Sequence, residues 1–222
     1  MFKDRCDAGC RLAQSLKKYK NHKNCVVIGL PRGGIPVAYE VAQALELSLD
    51  LIVIKKLGAP HQTELAMGAV DETGHTTMNL DIVSELAMSW DHIERIKKEG
   101  HKKAKTLYQL LRGGVPPLNL KNKIAIIVDD GLATGATMDE AIHSAKSKEA
   151  QKITVAVPVA SSSAHNRIKN LVDELVCLNI PSSFGAVGNF YESFDQTSDE
   201  MCIDLLQRQN KKRACPRGGG DL

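Results

Sequence analysis

The most informative part of the chain reads Ile124-Ala-Ile-Ile-Val-Asp-Asp-Gly-Leu-Ala-Thr-Gly-Ala-Thr137. Its first five residues are apolar and predict a strand that is buried on both faces of a sheet. Two acids, Asp129 and Asp130, follow at the carboxyl end of this strand, and small residues then lead into a helix that begins at Ala136. Ligands of open α/β sheets bind at this edge. The stretch therefore predicts a strand–loop–helix unit with a ligand site.

The loop after the acids, residues 131–137, suits a phosphate group. Its small side chains leave backbone N–H groups bare beside a helix N-terminus, and both features attract anions. The two carboxylates, which we expect to face solvent, can accept hydrogen bonds from neighbouring ribose hydroxyls. Together these residues predict a ribose-phosphate site. It comprises Asp129, Asp130, Gly131, Leu132, Ala133, Thr134, Gly135, Ala136 and Thr137.

Other nucleotide-binding loops fit this stretch poorly. It lacks the lysine of the G-x-x-x-x-G-K-[ST] loop, and G-x-G-x-x-G does not occur. An ordinary strand–helix turn with a capping Asp and helix-starting threonines stays open as an alternative. Such a turn does not need two acids followed by a run of small residues, so the ligand site is favoured.

The rest of the chain alternates between strand and helix patterns. Strands are predicted at 25–30, 49–54, 123–128, 152–159 and 175–180, and helices at 4–19, 36–45, 81–89, 91–111, 136–147, 163–171 and 198–209. A hairpin is predicted over 65–78, with its turn at 72–74. The alternation indicates a single α/β domain, residues 1–210, with a mainly parallel open sheet and helices on both faces. The basic, Gly-rich tail 211–222 is predicted to be disordered.

Composition excludes several classes of protein. The 222 residues carry 29 Lys and Arg against 26 Asp and Glu, so the net charge of +3 is too small for a duplex-binding surface. We therefore expect no nucleic-acid partner. The chain shows no apolar run long enough for a membrane span and no secretory signal. Its six cysteines form no C-x-x-C pair, which favours reduced, structurally neutral thiols. We expect a cytoplasmic protein without a membrane partner.

A second loop, Leu30-Pro-Arg-Gly-Gly-Ile-Pro36, directly follows the first predicted strand. Gly33 and Gly34 would let the backbone approach a crowded polyanion, and Arg32 offers a planar set of donors to phosphate oxygens. Taken alone, the loop is equally consistent with a Gly-Gly turn beside an exposed arginine. We expect it to face residues 129–137 across one cleft.

These motifs together resemble the type I phosphoribosyltransferases. The first stretch resembles their binding motif for 5-phosphoribosyl-1-pyrophosphate (PRPP), and the second loop resembles their pyrophosphate loop. The elements follow the family's order over about 25–191. The combination of L-P-R-G-G, K-L-G-A-P, G-A-V and V-G-N-F-Y further resembles an uncharacterised bacterial subgroup. The resemblance implies the α/β fold predicted above, with an added hairpin and a small hood.

The resemblance also implies an activity. Such an enzyme transfers the phosphoribosyl group of Mg-PRPP to an acceptor, here expected to be a nucleobase, and releases pyrophosphate. Mg²⁺ would be held mainly by PRPP, without direct protein ligands, and the protein would be a homodimer. A non-catalytic, PRPP-sensing regulator on the same fold is the alternative.

The family's functional residues match several positions here. The resemblance implies that pyrophosphate is bound by Arg32, Gly33, Gly34, Lys55 and Lys56, one of the lysines acting across the dimer interface. A cis peptide and strain are expected in the 32–34 turn. For the lysine pair the family has Arg-Lys, and a solvated pair of lysines is the alternative. Catalytic contributions are expected from Arg32, Lys56 and Glu64, with His61 in the same predicted loop, 57–64.

The acceptor would bind under the hood, residues 184–194. Val187, Phe190 and Tyr191 are the candidates, either aromatic ring stacking on the acceptor and the Val187 backbone bonding its edge. Four of the eight Phe and Tyr residues lie in this window. An aromatic plug that closes the end of the sheet is the alternative. In relatives that act on 6-oxopurines a third Asp stands where this chain has Ala133, so we do not expect a 6-oxopurine acceptor.

Overall fold

A computed structural model describes residues 1–59, 62–86 and 88–214 of the chain. The strands are β1 (Cys25–Gly29), β2 (Ser48–Leu51), β3 (Ile54–Ala59), β4 (Gln62–Asp71), β5 (Thr76–Met78), β6 (Ile124–Val128), β7 (Lys152–Val159) and β8 (Glu174–Asn179). The helices are α1 (Arg5–Ser15), α2 (Gly34–Leu45), α3 (Leu80–Glu85), α4 (Trp90–Arg112), α5 (Ala136–Ser147), α6 (Ser162–Lys169) and α7 (Asp199–Ala214). Short 3-10 turns lie at Lys17–Tyr19 and Val187–Phe190.

The main sheet is parallel and has the strand order β2-β1-β6-β7-β8. Helices cover both faces, as predicted. One apolar core lies beneath α1, α2 and α7, and the other lies beneath α5 and α6. Every residue of β1 is buried, which explains why its sequence is continuously apolar rather than alternating. The parallel order brings the carboxyl ends of β1 and β6 side by side.

The predicted strand at 49–54 is wrong at its carboxyl end. β2 ends at Leu51, and Ile54 instead begins β3, which pairs with β4 in a separate antiparallel sheet of order β3-β4-β5. The region 57–64 was predicted as a loop, but it forms parts of β3 and β4, while residues 60 and 61 lie outside the described residues. The two lysines and a register shift at Leu57/Gly58 break the alternation that would have marked β3.

The predicted hairpin is confirmed and is anchored to the main domain. Asp71, at the end of β4, is buried and accepts a 2.6 Å hydrogen bond from the Ser144 hydroxyl of α5. Burial raises the pKa of Asp71, but the hydrogen bonds from Ser144 and Thr73 and the charge of Lys148 outweigh it, so the pKa is lowered overall. The hairpin is therefore held against the helix that follows the acid pair.

The ends of the chain differ from expectation in two details. The α-helical part of the predicted helix 4–19 stops at Ser15, and the 3-10 turn continues it. Helix α7 runs to Ala214, so residues 211–214 of the predicted tail are helical, and 215–222 lie outside the described residues. In the described part of the chain, no helix is both long and apolar enough to cross a membrane.

Candidate functional site

The glycine-rich loop after β1 and the acid pair after β6 meet at the carboxyl edge of the sheet. Gly29 is paired in register with Val128, and the N–H of Leu30 donates to the Val128 carbonyl at 3.0 Å. Because of this alignment, the segments that follow β1 and β6 leave the sheet side by side. The peptide between Pro31 and Arg32 is cis, as was expected in this turn. The two sequence-predicted loops thus face each other across one cleft.

Both glycines are required by this close approach. A Cβ atom on Gly33 would lie 2.0 Å from Oδ2 of Asp130, and one on Gly34 would lie 2.8 Å from the Val128 carbonyl oxygen. No larger side chain fits between the loops. The backbone of the loop therefore lies directly against the carboxylates, which the sequence could only suggest.

A substitution at Gly34 should destabilise the protein. Its Cβ would meet backbone atoms, the Val128 oxygen and the Cα of Asp129 at 2.9 Å, and neither can move without disturbing β6. We expect Gly34→Ala to cost about 1–3 kcal/mol by overpacking, or roughly 2–12 °C in Tm for a chain of this length. Gly185→Ala is the matched control, because its Cβ would meet only the end of the exposed Asn189 side chain, whose nitrogen lies at 2.8 Å. Equal melting temperatures for the two variants, measured by circular dichroism, would contradict this.

The loop after the acids forms a cradle at the start of α5. Gly135 is the N-terminal cap and has a φ of 75°, a left-handed conformation that glycine adopts without strain. The first-turn N–H groups have no acceptor within the helix, and that of Ala136 meets only the Thr134 hydroxyl, at 3.4 Å. The loop is also fixed by Ser161, whose hydroxyl donates a hydrogen bond to the Ala133 carbonyl at 2.6 Å. These features suit an anion.

The acid pair is partly buried, so the prediction of solvent-facing carboxylates is wrong. The reason is Arg5 of α1, whose Nη2 lies 2.8 Å from Oδ2 of Asp130, with 15% of the Asp130 side chain exposed. Arg5 is not predictable as a site residue from the sequence, because it lies in an ordinary amphipathic helix 125 residues away from Asp130. The only local signal is an arginine in the first turn of α1, where a helix dipole favours acids.

Burial and mutual repulsion shape the titration of the pair. Burial and the nearby charge of Asp130 raise the pKa of Asp129 well above its usual range. Burial also raises the pKa of Asp130, while the charge of Arg5 opposes this increase. Because the raised pKa values disfavour ionisation in the folded state, the pair contributes less stability as the pH rises through them.

Arg32, the predicted pyrophosphate ligand, is ion-paired at the edge of the cleft. Its Nε lies 2.6 Å from Oδ1 of Asp199 in the first turn of α7, and 45% of its side chain is exposed. Exposed pairs of this kind contribute only about 0–1 kcal/mol. The guanidinium can therefore exchange Asp199 for another anion at low cost.

The lysine pair lies on β3 rather than in a loop. Lys55 and Lys56 line a cavity of about 500 Å³ between β3 and α4, together with Arg95 and Lys103. Lys56 also lines a second cavity with Ala136 and Thr137, at the start of α5. Lys56 therefore shares this cavity with the first residues of α5. Of the two other residues predicted in this region, Glu64 lies on β4 with its side chain outside the described part, and His61 lies outside it entirely.

The predicted hood adjoins the same loop. A Cβ on Gly131 would lie 2.6 Å from Cγ1 of Val187, so the hood packs on the first residue after the acids. Tyr191 is buried, its ring centroid lies 5.4 Å from that of Phe2, and its hydroxyl donates to the Asp130 carbonyl at 2.6 Å. Of the two candidate stacking rings, Phe190 is the one that is partly exposed.

Comparison with known proteins identifies relatives. A family model described as the phosphoribosyl transferase domain matches residues 3–194. Proteins from two strains of Mycobacterium tuberculosis, with the assigned name phosphoribosyl transferase, are each 40% identical to this chain over 211 residues. The match covers 95% of this chain but 47% of each relative, so the chain spans about half their length.

A solved structure is similar over nearly the whole fold. The crystal structure of TT1426 from Thermus thermophilus matches with a TM-score of 0.83 and 35% sequence identity. The match covers 94% of this chain and 99% of that chain. The two proteins therefore share one fold.

Proposed function

Because the chain belongs to the phosphoribosyl transferase family, we propose that it binds Mg-PRPP and transfers the phosphoribosyl group to a nucleobase, releasing pyrophosphate. The observation that supports this proposal most strongly is the close contact of Gly33 and Gly34 with Asp129 and Asp130. This contact brings three features into one cleft. They are a loop suited to a polyanion, two acids suited to a polyol and a helix N-terminus suited to a phosphate. These are the three polar parts of PRPP.

Each part of the substrate has a proposed partner. The 5-phosphate binds the 131–137 loop at the start of α5. The ribose hydroxyls donate to Asp129 and Asp130, and the pyrophosphate binds the backbone of Gly33 and Gly34. Arg32 would release Asp199 and join Lys55 or Lys56 on the pyrophosphate oxygens. The proposal of a cation near the bound substrate is supported by Lys56, which lines the second cavity together with Thr137.

In the proposed reaction, an acceptor nitrogen forms a bond to C1 of the ribose as the bond from C1 to the pyrophosphate oxygen breaks. Pyrophosphate leaves with the electron pair, and the acceptor nitrogen passes its proton to solvent. The protein mostly positions the reactants and stabilises negative charge on the leaving group. Arg32 and Lys56 supply that charge stabilisation, and Glu64 is proposed to act near the reaction centre.

The residues present suit a magnesium ion held largely by the substrate. In the described ranges, no three His, Cys, Asp or Glu side chains converge as a metal cluster. Mg²⁺ usually keeps several waters and binds through substrate phosphates, so the pyrophosphate group of PRPP and water would supply most of its ligands, and no side chain is proposed as a direct ligand. When bound, the ion would neutralise charge on the pyrophosphate.

The hood and the surface support two further parts of the proposal. Phe190 is partly exposed next to Phe184, with ring centroids 5.4 Å apart, and would stack on the acceptor base near Val187. Leu80 and Trp90 are 73% and 76% exposed, which provides apolar surface for a homodimer. In such a dimer, a lysine of β3 would reach the partner's pyrophosphate.

The proposal is tested by titrating the purified protein with PRPP and Mg²⁺ in a calorimeter and screening a panel of nucleobases for pyrophosphate release. We expect micromolar-range binding that requires Mg²⁺, and release with one class of base. Binding without release across the panel would favour the PRPP-sensing regulator. If PRPP does not bind, the proposal is wrong.

A further inference from the structure

Arg5 connects the acid pair to the hood, although no motif marks it. Its guanidinium contacts the Asp130 carboxylate, the ring of Phe194 and the main-chain carbonyl of Asp195. We propose that Arg5 is a positioning residue, which orients the Asp130 carboxylate towards a ribose hydroxyl and keeps it negatively charged. This inference rests on the proposed function, because the ligand concerned is PRPP.

The hydrogen bonds around the acids leave one oxygen of each carboxylate available. Nε and Nη2 of Arg5 both bind Oδ2 of Asp130, at 3.0 and 2.8 Å. The N–H of Asp130 binds Oδ1 of Asp129 at 2.9 Å. Within the described ranges, no other residue donates to Oδ1 of Asp130 or to Oδ2 of Asp129. Two adjacent acceptors therefore remain for two adjacent hydroxyls.

Arg5 is itself held rigidly, so it can fix the orientation of its partner. Only 13% of its side chain is exposed. The guanidinium carbon lies 3.8 Å from the centroid of the Phe194 ring, and Nη1 donates to the Asp195 carbonyl at 2.7 Å. The buried residues Ala8 and Leu12 of α1 anchor the helix that carries it. A planar guanidinium that is already held by an aromatic ring and a main-chain carbonyl loses little conformational entropy when it positions a carboxylate.

The charge of Arg5 matters because the acids repel each other. The charged and titratable groups that face the Asp130 carboxylate are Arg5 and Asp129, while the Tyr191 hydroxyl binds the Asp130 carbonyl. Burial raises the pKa of Asp130, and Arg5 opposes that increase. Without the cation the carboxyl would be protonated at a higher pH. A protonated carboxyl has fewer acceptor positions for ribose hydroxyls, so PRPP binding should then fail at a higher pH.

The test compares Mg-PRPP affinity by calorimetry from pH 5 to pH 8 in the wild type, Arg5→Gln, Arg5→Lys and Arg11→Gln. For Arg5→Gln we expect at least a tenfold loss of affinity at pH 8, because a disordered carboxylate weakens its charge-assisted hydrogen bond to the ribose hydroxyl. We also expect the decline of affinity with falling pH to begin at a higher pH than in the wild type. The phosphates of PRPP titrate identically in every arm, so a difference reports on the protein.

Two variants separate positioning from a merely structural role. Arg5→Lys retains the charge but loses the planar donors, so it should restore the pH profile while affinity stays reduced. Arg11→Gln removes an arginine from the same helix that pairs with Asp7 at the surface, and it should bind like the wild type. If Arg5→Gln fails to fold, a wild-type affinity for Arg5→Lys refutes the inference.

The outcomes also separate the inference from its premise. Folded Arg5→Gln with the affinity and pH profile of the wild type refutes the role of Arg5 and leaves the proposed function intact. A loss of affinity with an unchanged pH profile refutes the charge effect. If the wild type does not bind PRPP at any pH, the proposed function is wrong and the inference is refuted with it.

Discussion

The double variant Asp129→Asn, Asp130→Asn should lose PRPP affinity by about two to four orders of magnitude. In the proposed function each carboxylate accepts a charge-assisted hydrogen bond from a ribose hydroxyl, and such bonds are worth about 1.5–3 kcal/mol each. The protein should still fold. Replacing Asp129 removes a charge whose ionisation is disfavoured by burial and by Asp130. Replacing Asp130 leaves Arg5 without its carboxylate but with its contacts to Phe194 and the Asp195 carbonyl.

The measurement is calorimetric titration with PRPP and Mg²⁺, with circular dichroism to establish folding. The matched control is Asp81→Asn, Asp91→Asn, which removes two exposed acids from the first turns of α3 and α4. The control should bind PRPP like the wild type. Unchanged PRPP affinity in the folded site variant would exclude the acid pair as the ribose site.

Negligible turnover of hypoxanthine and guanine is the second large effect that we expect. The resemblance places Ala133 where 6-oxopurine enzymes carry an acid that assists proton transfer at the purine ring. An alanine side chain neither donates nor accepts a proton, and general acid–base assistance contributes about 10²–10⁴-fold in rate. In the structure the Ala133 carbonyl is already bound by the Ser161 hydroxyl, which fixes this loop position.

The assay follows formation of inosine and guanosine monophosphate from the two bases, PRPP and Mg²⁺. Any base that releases pyrophosphate in the panel serves as the positive control. The variant Ala133→Asp tests the reason directly, because an acid at this position should raise 6-oxopurine turnover if proton transfer is limiting. Robust turnover by the wild type would show that another residue supplies the proton.

The elements next to the acid pair were predictable because their signals are local. The bounds of α5 and β7 agree with those predicted from the sequence. An apolar run defines β7, and the Gly135 cap defines the start of α5. Strand β3 was not predictable in the same way. Its two lysines resemble an exit from the sheet, and only pairing with β4 makes it a strand.

Some features of the candidate site were likewise predictable from local sequence, and others were not. The juxtaposition of Gly33 and Gly34 with the acids could be predicted, because both segments follow parallel strands and such strands end at one edge of a sheet. The stacking role suggested for Tyr191 could not be judged from composition. The Tyr191 ring packs against Phe2, and its hydroxyl donates a hydrogen bond to the Asp130 carbonyl. Both contacts depend on how the hood folds back over the sheet.

The sequence alone determined the α/β alternation, the acid pair with its loop of small residues at 129–137 and the glycine pair of the loop at 32–34. Hydrophobic period, small residues and adjacent acids express these features within a few residues of chain. Only the tertiary structure brought Arg5 to Asp130 and Asp199 to Arg32, across 125 and 167 residues of sequence. Such pairs depend on how whole helices pack. Packing is set by the summed burial of many side chains, so no local pattern records it.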